Sequence, residues 1–394
     1  MPDVTRGTPE GGAADRTMIR LDALTKRYPG QSEAAVDALT LDIPAGHIVT
    51  FVGPSGCGKT TTMKLINRLI EPTSGRVHLD GRDVTEVPAP QLRRRIGYTI
   101  QQGGLFPHRT VADNIATVPR LLGWDRRRVG ERVDELLHLV GLDPKTYRRR
   151  YPKQLSGGQQ QRVGVARALG GDPQVMLMDE PFGAIDPLNR EALQNEFLRI
   201  QAAVRKTIVF VTHDMDEAIK MGDRIAIFGD NGRVLQYDTP ERILADPAEG
   251  FVTEFIGSGA SVRRLSLTRL ESVVLPDWPT VEETSDGETL RAAARGSDRD
   301  YLLVLGDGRR PVGWLPVTGE DRRPGERLPL LSPLGPRDSL FDALDHMLTV
   351  NASAAAVVDG DGRYRGVVEM DTLRELINTR AAGAPSSSDH LQEA

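Results

Sequence analysis

The stretch from residue 53 to residue 61 has the composition of a phosphate-binding loop. It reads Gly53-Pro54-Ser55-Gly56-Cys57-Gly58-Lys59-Thr60-Thr61 and fits the pattern G-x-x-x-x-G-K-[ST] without a mismatch. Its glycines let backbone N–H groups turn inward around phosphate oxygens. The pattern predicts that Lys59 contacts the β and γ phosphates and that the Thr60 hydroxyl binds Mg2+. The chemistry it indicates is the use of a nucleoside triphosphate.

Two carboxylates follow a second apolar run. The run Val175-Met176-Leu177-Met178 is typical of a fully buried parallel strand, and it ends in Asp179-Glu180. The carboxyl edge of such a sheet is where doubly wound folds bind their ligands. We therefore expect Asp179 to hold Mg2+ through its hydration shell and Glu180 to orient or deprotonate an attacking water.

A second candidate phosphate contact lies at residues 155–159. There Leu155-Ser156-Gly157-Gly158-Gln159 places a serine and two glycines before a helical pattern. The first N–H groups of that helix are predicted to be open to an anion. Further upstream, a predicted strand that begins at Ile96 runs into Gln101, whose amide could reach both metal and water.

His213 and Tyr28 each have two interpretations. His213 follows the buried strand pattern Thr207–Thr212, again at a carboxyl edge. A lone histidine is more often structural, but this position favours a functional role. Tyr28 lies upstream of the loop and could contact the adenine face of a nucleotide. Its spacing alone favours an ordinary surface tyrosine in a turn.

Hydrophobic periodicity predicts the elements that position these residues. The run Ile48–Val52 indicates a buried strand before the loop, and Thr61–Ile70 indicates a helix after it. The segments Met18–Leu24 and Ala38–Ile43 alternate apolar and polar residues, as half-buried strands do. The loop is thus predicted to join a strand to a helix N-terminus, whose dipole favours an anion.

Residues 110–151 have a helical pattern instead. Its predicted apolar face consists of Val133, Leu136, Leu137, Val140 and Leu142. Arginine triplets at 93–95, 126–128 and 148–150 mark this part of the chain. We interpret them as solvated helix faces in preference to contacts with lipid headgroups or an anionic partner.

Composition limits the classes of protein to consider. The 394 residues are 39% hydrophobic and 27% charged, which allows two or three domains. No run of about 18 apolar residues is present, residues 1–17 lack the apolar centre of a secretory signal, and we expect a cytoplasmic protein with a disordered N-terminus. The single cysteine, Cys57, suits a reducing compartment. A net charge of -5 argues against nucleic acid as a partner.

Taken together, these motifs resemble the Walker A, Q-loop, signature, Walker B, D-loop and H-loop motifs of ABC transporter ATPases. The matching stretches are Gly53 to Thr60, Gln101, Leu155 to Gln159, Val175 to Glu180, Gly183 to Asp186, and His213. The resemblance covers about residues 18–257 and implies an α/β P-loop NTPase fold with a helical subdomain at about 102–151. The runs 61–72, 100–108 and 179–187 are similar to the ATPases of quaternary-amine importers, which take up glycine betaine, choline or carnitine.

The resemblance implies a homodimer in which ATP lies between the P-loop of one protomer and the signature of the other. The residues it implies for ATP are Tyr28, Gly53, Ser55, Gly56, Gly58, Lys59, Thr60, Thr61, Ser156, Gly157, Gly158, Gln159 and Asp186. Thr60, Gln101 and Asp179 would bind Mg2+, while Glu180 is the implied base and His213 and Gln101 contact or sense the γ-phosphate. The helical insert would dock onto transmembrane permease subunits at the cytoplasmic face of the plasma membrane. An extracytoplasmic substrate-binding protein would be an indirect partner.

Residues 258–380 contain a degenerate repeat of strand, Asp-Gly turn and strand. The copies lie at 302–315 and 354–368, with helix candidates before them at Glu288–Arg295 and Ser339–Leu348. They resemble a tandem pair of CBS modules, which implies a smaller α+β regulatory domain that responds to a nucleotide or to ions. A passive dimerisation domain is the alternative. Residues 381–394 are predicted to be a disordered tail.

The sequence therefore predicts the ATPase subunit of an ABC importer for quaternary amines. Two alternatives stay open. An importer for another solute would have the same motifs, because a permease and a binding protein choose the solute. A soluble ABC ATPase that acts on DNA or ribosomes usually has two fused ATPase domains or a long coiled-coil insert, and such heptads are absent from this sequence.

Overall fold

The computed structural model describes residues 16–99, 104–183, 187–257, 259–319, 321, 323–330, 332–349 and 352–378, without the side chains at 187–189, 261, 376 and 378. Gln101, Asp186, residues 1–15 and the predicted tail lie outside this set. Residue contacts divide the chain into two units, Met1–Ile256 and Gly257–Ala394. In the described part of the chain, every helix is too short or too polar to span a bilayer.

The first unit combines two sheets with the helices that cover them. Its strands are β1 (Thr17–Lys26), β2 (Val36–Pro44), β3 (Ile48–Val52), β4 (Ser74–Leu79), β5 (Arg82–Asp83), β6 (Ile96–Thr99), β7 (Val175–Asp179), β8 (Thr207–Thr212), β9 (Arg224–Phe228) and β10 (Val234–Asp238). Its helices are α1 (Lys59–Ile66), α2 (Ala89–Arg93), α3 (Val111–Ile115), α4 (Thr117–Leu121), α5 (Arg126–Leu139), α6 (Pro144–Tyr147), α7 (Gly157–Leu169), α8 (Pro187–Val204), α9 (Met215–Met221), α10 (Pro240–Ala245) and α11 (Phe251–Ile256). β1 begins at Thr17, one residue before the predicted start of structure.

The larger sheet has the strand order β10-β9-β3-β8-β7-β6. Neighbouring strands from β9 to β6 are parallel, and only β10 runs antiparallel to its neighbour. Because side chains alternate along a strand, the two faces of this sheet bury two different clusters. Met176 and Met178 of β7 pack into one cluster, and Val175 and Leu177 pack into the other. The carboxyl ends of β3, β7 and β8 therefore lie at one edge of the sheet.

The helix after the phosphate-binding loop is shorter than predicted. The predicted segment ended at Ile70, whereas α1 ends at Ile66. Arg68 adopts a left-handed φ of +46°, and the N–H of Leu69 donates to the Lys64 carbonyl at 2.9 Å. This angle and this hydrogen bond are typical of a Schellman motif, which satisfies the last carbonyls of a helix and turns the chain away from its axis. Ile70 still packs against the core, but it does so from outside the helix.

The helical insert is a group of short helices, not one continuous helix. After α5 the chain turns at Gly141, where φ is +68°, and Leu142 is buried beyond the helix end. Several arginines of this region have acidic or aromatic partners. Arg148 contacts Asp134 at 2.5 Å, and the guanidinium carbon of Arg128 lies 3.7 Å from the centroid of the Trp124 ring.

The second unit is built around two antiparallel hairpins. Its strands are β11 (Thr280–Glu282), β12 (Tyr301–Gly306), β13 (Arg310–Thr318), β14 (Arg323–Pro324), β15 (Leu328–Pro329), β16 (Ala354–Val358) and β17 (Tyr364–Glu369). Its helices are α12 (Ala260–Leu267), α13 (Gly287–Gly296), α14 (Leu340–Thr349) and α15 (Met370–Asn378). The β12–β13 and β16–β17 hairpins contain the predicted repeat. Leu303 and Leu305 of the first hairpin pack with Ala356 and Val367 of the second in one cluster.

Candidate nucleotide site

The phosphate-binding loop joins β3 to α1, and two of its glycines cannot be replaced without strain. Gly58 has φ +104°, a conformation that side chains rarely adopt, and a Cβ there would lie 2.5 Å from the Ala35 carbonyl oxygen. A Cβ on Gly53 would lie 2.4 Å from the Phe228 carbonyl oxygen. The loop therefore has a path that only glycine permits at these points.

Lys59 lies inside this loop. Its ammonium donates hydrogen bonds of 2.7 Å to the carbonyl oxygens of both Gly53 and Pro54, and the residue is only 6% exposed. A buried ammonium group needs such partners, because an unpaired buried charge is costly. Ser55 and Gly56, at the tip of the loop, are exposed, and Thr61 is half-buried.

Two residues predicted to bind Mg2+ meet at the sheet edge. The Thr60 hydroxyl donates to the Asp179 carboxylate, with Oγ1 and Oδ1 3.1 Å apart. Burial raises the pKa of Asp179, and the neighbouring Glu180 charge raises it further, while the hydrogen bond from Thr60 opposes both. Hydroxyl and carboxylate oxygens are the hard ligands that Mg2+ prefers. This pair of side chains fits a magnesium site.

Glu180 faces His213 across the edge between β7 and β8. Glu180 Oε1 lies 3.1 Å from His213 Nδ1, and the Glu180 N–H donates to the Val211 carbonyl at 3.0 Å. Glu180 also has a left-handed φ of +44°. That conformation is uncommon for a residue other than glycine and occurs preferentially at functional sites. A carboxylate held beside an imidazole in this way can accept a proton from a nearby water.

The signature residues form the N-terminus of α7. Ser156 caps this helix, since its hydroxyl accepts a hydrogen bond of 3.3 Å from the Gln159 N–H. The Gln159 side-chain oxygen returns the bond by accepting from the Ser156 N–H at 3.0 Å. This reciprocal arrangement is a capping box. Ser156 and Gly157 are exposed, and Gly158 is half-buried.

Known proteins share this architecture and much of its sequence. The family model described as ABC transporter matches residues 36–183. The osmoprotectant import ATP-binding protein OsmV of Salmonella typhimurium is 42% identical over 371 residues, which are 92% of this chain and 97% of that protein. The chain belongs to the ABC transporter ATP-binding protein family.

Two further comparisons agree with this assignment. The glycine betaine/carnitine/choline transport ATP-binding protein OpuCA of Bacillus subtilis is 53% identical over 289 residues, which are 73% of this chain and 75% of that protein. The dimeric structure of MJ0796, a bacterial ABC transporter cassette, is 33% identical, with a TM-score of 0.50 over 56% of this chain and 98% of that chain. The predicted ABC ATPase fold is confirmed, as is the resemblance to ATP-binding subunits of osmoprotectant importers.

Within this ABC ATPase, the structure brings some predicted site residues together. Thr60 meets Asp179, and Glu180 meets His213. Tyr28 is half-buried, and the Lys26 ammonium lies 5.4 Å from the centroid of its ring. Contacts of Gln101 and Asp186 lie outside the described residues.

One contact near the signature was not predicted. The Gln159 side-chain amide donates a hydrogen bond of 3.1 Å to the Tyr147 hydroxyl. Tyr147 lies on α6, in the helical insert, and no periodicity or motif in the sequence connects the two residues. Only the packing of the insert against α7 brings them together.

Proposed function

We propose that this chain is the ATP-hydrolysing subunit of an ABC importer for quaternary amines such as glycine betaine, choline or carnitine. The contact between Glu180 and His213 at the carboxyl edge of the sheet is the observation that carries the hydrolytic part. The solute class rests on the names of relatives that cover most of this chain, among them osmoprotectant and glycine betaine/carnitine/choline transport ATP-binding proteins.

In the proposed reaction, the phosphates of ATP lie in the loop 53–60. The Lys59 ammonium exchanges its bonds to loop carbonyls for bonds to the β and γ phosphates. Thr60 and Asp179 would hold Mg2+, and the bound ion would supply positive charge beside the phosphates. Glu180 accepts a proton from the attacking water, and His213 keeps the carboxylate oriented and contacts the γ-phosphate.

We further propose that two copies of the chain complete each nucleotide site. The exposed Ser156 and Gly157 at the start of α7 would face the γ-phosphate held by the partner's loop. The similarity to a cassette whose structure is dimeric supports this arrangement. Gln101 and Asp186 are assigned to the same site on the basis of their motifs alone.

The helical insert at about 102–151 is our candidate for the surface that docks on transmembrane permease subunits. Phe106 and Leu121 are exposed apolar side chains on this insert, at 37% and 54%. Such docking would place the chain at the cytoplasmic face of the plasma membrane. An extracytoplasmic binding protein would then deliver the solute to the permease without touching this chain.

Glu180→Gln tests the hydrolytic assignment. The change removes the proton acceptor but keeps the contacts to phosphate and metal, so phosphate release should fall at least about 100-fold while ATP stays bound. An ATP-bound dimer should accumulate, measurable by light scattering. Glu191→Gln is the matched control. Glu191 is exposed on α8, and it forms an ion pair of 3.2 Å with Lys220. Hydrolysis at the parent rate in Glu180→Gln would refute the assignment of the base.

The solute class needs a separate measurement with the reconstituted transporter. Uptake of labelled glycine betaine and choline should depend on ATP and on Glu180, whereas a labelled sugar should not enter. Uptake of the sugar alone would assign the chain to an importer of another class while leaving the ATPase chemistry intact.

We propose that the second unit is a tandem CBS-like regulatory domain. It contains a cavity of about 320 Å³ whose lining includes Tyr301, Trp314, His346 and Ser353. The aromatic side chains of this lining suit a planar group such as the base of a regulatory nucleotide. A chain that ends at Gly257 should therefore still transport, but without the response to added cyclic dinucleotide or internal salt. Loss of dimerisation and of all ATPase activity in that chain would favour the passive dimerisation alternative.

A further inference from the structure

The side-chain amide of Gln159 is held at both ends. Its oxygen accepts from the Ser156 N–H at 3.0 Å, which closes the capping box of α7. Its nitrogen donates to the Tyr147 hydroxyl at 3.1 Å. Because these two bonds fix the plane of the amide, they also fix the direction of the Ser156 N–H and the turn that carries Ser156 and Gly157.

Tyr147 is itself held firmly. Asp143 caps α6 by accepting hydrogen bonds from the Thr146 N–H at 3.1 Å and the Thr146 hydroxyl at 2.6 Å. The Tyr147 ring packs against the core of the insert, and the Arg150 guanidinium carbon lies 4.7 Å from its centroid. The hydroxyl is thus presented to Gln159 from a fixed ring.

The turn at residues 148–150, which follows Tyr147, also anchors the segment that follows the predicted Q-loop. The carbonyl of Arg150 accepts from the Val111 N–H at 2.8 Å, and the carbonyl of Arg148 accepts from the Ala112 N–H at 3.1 Å. Asn114, which is fully buried, accepts from the Phe106 N–H at 2.8 Å through its Oδ1. Segment 106–114 and the turn beside Tyr147 are therefore joined by backbone hydrogen bonds.

We propose that Tyr147 is a positioning residue for the signature, whose hydroxyl holds Gln159 and so sets the geometry with which Ser156 and Gly157 meet the partner's nucleotide. This inference rests on the proposed function, because it requires the signature to act across a dimer. Tyr147 touches neither ATP nor the reacting atoms. Its effect is on the closure of the dimer and on the hydrolysis that follows, while binding of ATP to the loop 53–60 of a single chain is independent of it.

The test uses the full chain carrying Glu180→Gln, in which ATP-bound dimers are expected to accumulate. Adding Tyr147→Phe removes one hydroxyl and keeps the ring beneath Arg150. The ATP concentration for half-maximal dimerisation should rise about three- to tenfold, the loss expected for one hydrogen bond. The affinity of dilute single chains for a fluorescent ATP analogue should stay within about twofold of the parent value, since the loop is untouched.

Tyr237→Phe is the matched control in the same Glu180→Gln chain. Its hydroxyl donates to the Asp42 carbonyl at 3.0 Å, away from the signature, so this variant also loses one tyrosine hydrogen bond. A general loss of stability would affect both variants alike. A rise in the ATP requirement for Tyr147→Phe but not for Tyr237→Phe supports the proposal, and equal behaviour of the two variants overturns it.

A double-mutant cycle with Gln159→Ala separates positioning of Gln159 from other roles of the ring. If the hydroxyl acts through Gln159, Tyr147→Phe should have no further effect in the Gln159→Ala chain. The same three- to tenfold loss in both backgrounds would overturn the proposal. If Glu180→Gln alone forms no dimer with ATP, the proposed function fails and this inference fails with it. A Glu180→Gln dimer that ignores Tyr147→Phe refutes the inference alone.

Discussion

The two helix N-termini assigned to phosphate, those of α1 and α7, are built in opposite ways. At α1 the residue before the helix is Gly58 in a left-handed conformation, and no side chain caps the helix. At α7 Ser156 caps the helix, and Gln159 completes the capping box. The first N-terminus leaves its N–H groups to an anion, whereas the second satisfies part of its own.

In the proposed dimer each chain contributes to two nucleotide sites, and its two helix N-termini suit these two different contributions. A nucleotide loop must have free donors, and the buried Lys59 adds charge to them. In the proposed dimer the N-terminus of α7 would meet a nucleotide only when the partner chain binds. Until then this N-terminus is exposed to water, and its capping box holds it in shape. We therefore expect substitutions at the N-terminus of α1 to weaken ATP binding strongly and substitutions at the N-terminus of α7 to leave it intact.

Lys59→Ala should have the largest effect of the substitutions, and it tests whether the N-terminus of α1 binds the phosphates of ATP. Loss of the charge-assisted bonds to two phosphates should weaken ATP binding by single chains about 100-fold. Titration with a fluorescent ATP analogue measures this. Lys145→Ala, which removes an exposed lysine on α6, is the control and should bind normally. Normal ATP affinity in Lys59→Ala would place the phosphates elsewhere.

The sequence predicts the strands around the nucleotide site better than it predicts the end of α1. The bounds of β3 and β8 agree with prediction, because a buried parallel strand is a continuous apolar run that polar residues or turns delimit. The end of α1 was predicted wrongly at Ile70. Ile70 keeps helical spacing, so periodicity cannot reveal that a left-handed Arg68 has already ended the helix.

Contacts between distant residues were harder still to predict. The Tyr147–Gln159 bond depends on how α6 packs against α7, and the left-handed Glu180 is held by its backbone hydrogen bond to Val211 of the neighbouring strand β8. Neither leaves a local pattern in the sequence. Site residues that belong to a motif could therefore be named in advance, whereas the residues that position them could not.

Substituting one glycine at each helix start tests the difference between the two N-termini through the free energy of unfolding. Gly58→Ala should lower the free energy of unfolding by about 2–4 kcal/mol, because it combines a left-handed backbone with a 2.5 Å approach to the Ala35 carbonyl. Gly157→Ala meets nothing within 4 Å and should be neutral or stabilising by up to about 0.5 kcal/mol. Urea denaturation measures both.

The same pair distinguishes the functional roles of the two helix starts. Gly157→Ala should bind ATP as a single chain but form the dimer poorly in the Glu180→Gln background, because the added methyl lies on the exposed signature surface. Similar destabilisation by both substitutions would show that the two helix starts are not built differently.

Asp179→Asn tests how burial of a carboxylate at the nucleotide site affects the stability of the protein. Burial raises the pKa of Asp179 above its ordinary value of 3.8, so the folded state binds this proton more tightly than the unfolded state. The free energy of unfolding is therefore reduced as pH rises from that ordinary value through the raised one. Without nucleotide and Mg2+, Asp179→Asn should be more stable than the parent at pH 7, and the difference should vanish well below pH 4.

Asp113→Asn is a control with the opposite sign. The hydrogen bond from Thr110 lowers the pKa of Asp113, so its carboxylate stabilises the protein above the usual aspartate pKa, and this is lost as pH falls through the lowered value. Denaturation curves from pH 3 to pH 7 should therefore diverge in opposite directions for the two variants. Lower stability of Asp179→Asn at pH 7 would mean that Thr60 and the neighbouring lysines outweigh burial. The charged Asp179 would then stabilise the protein in the absence of nucleotide and Mg2+, whereas we expect it to lower the stability until a cation binds.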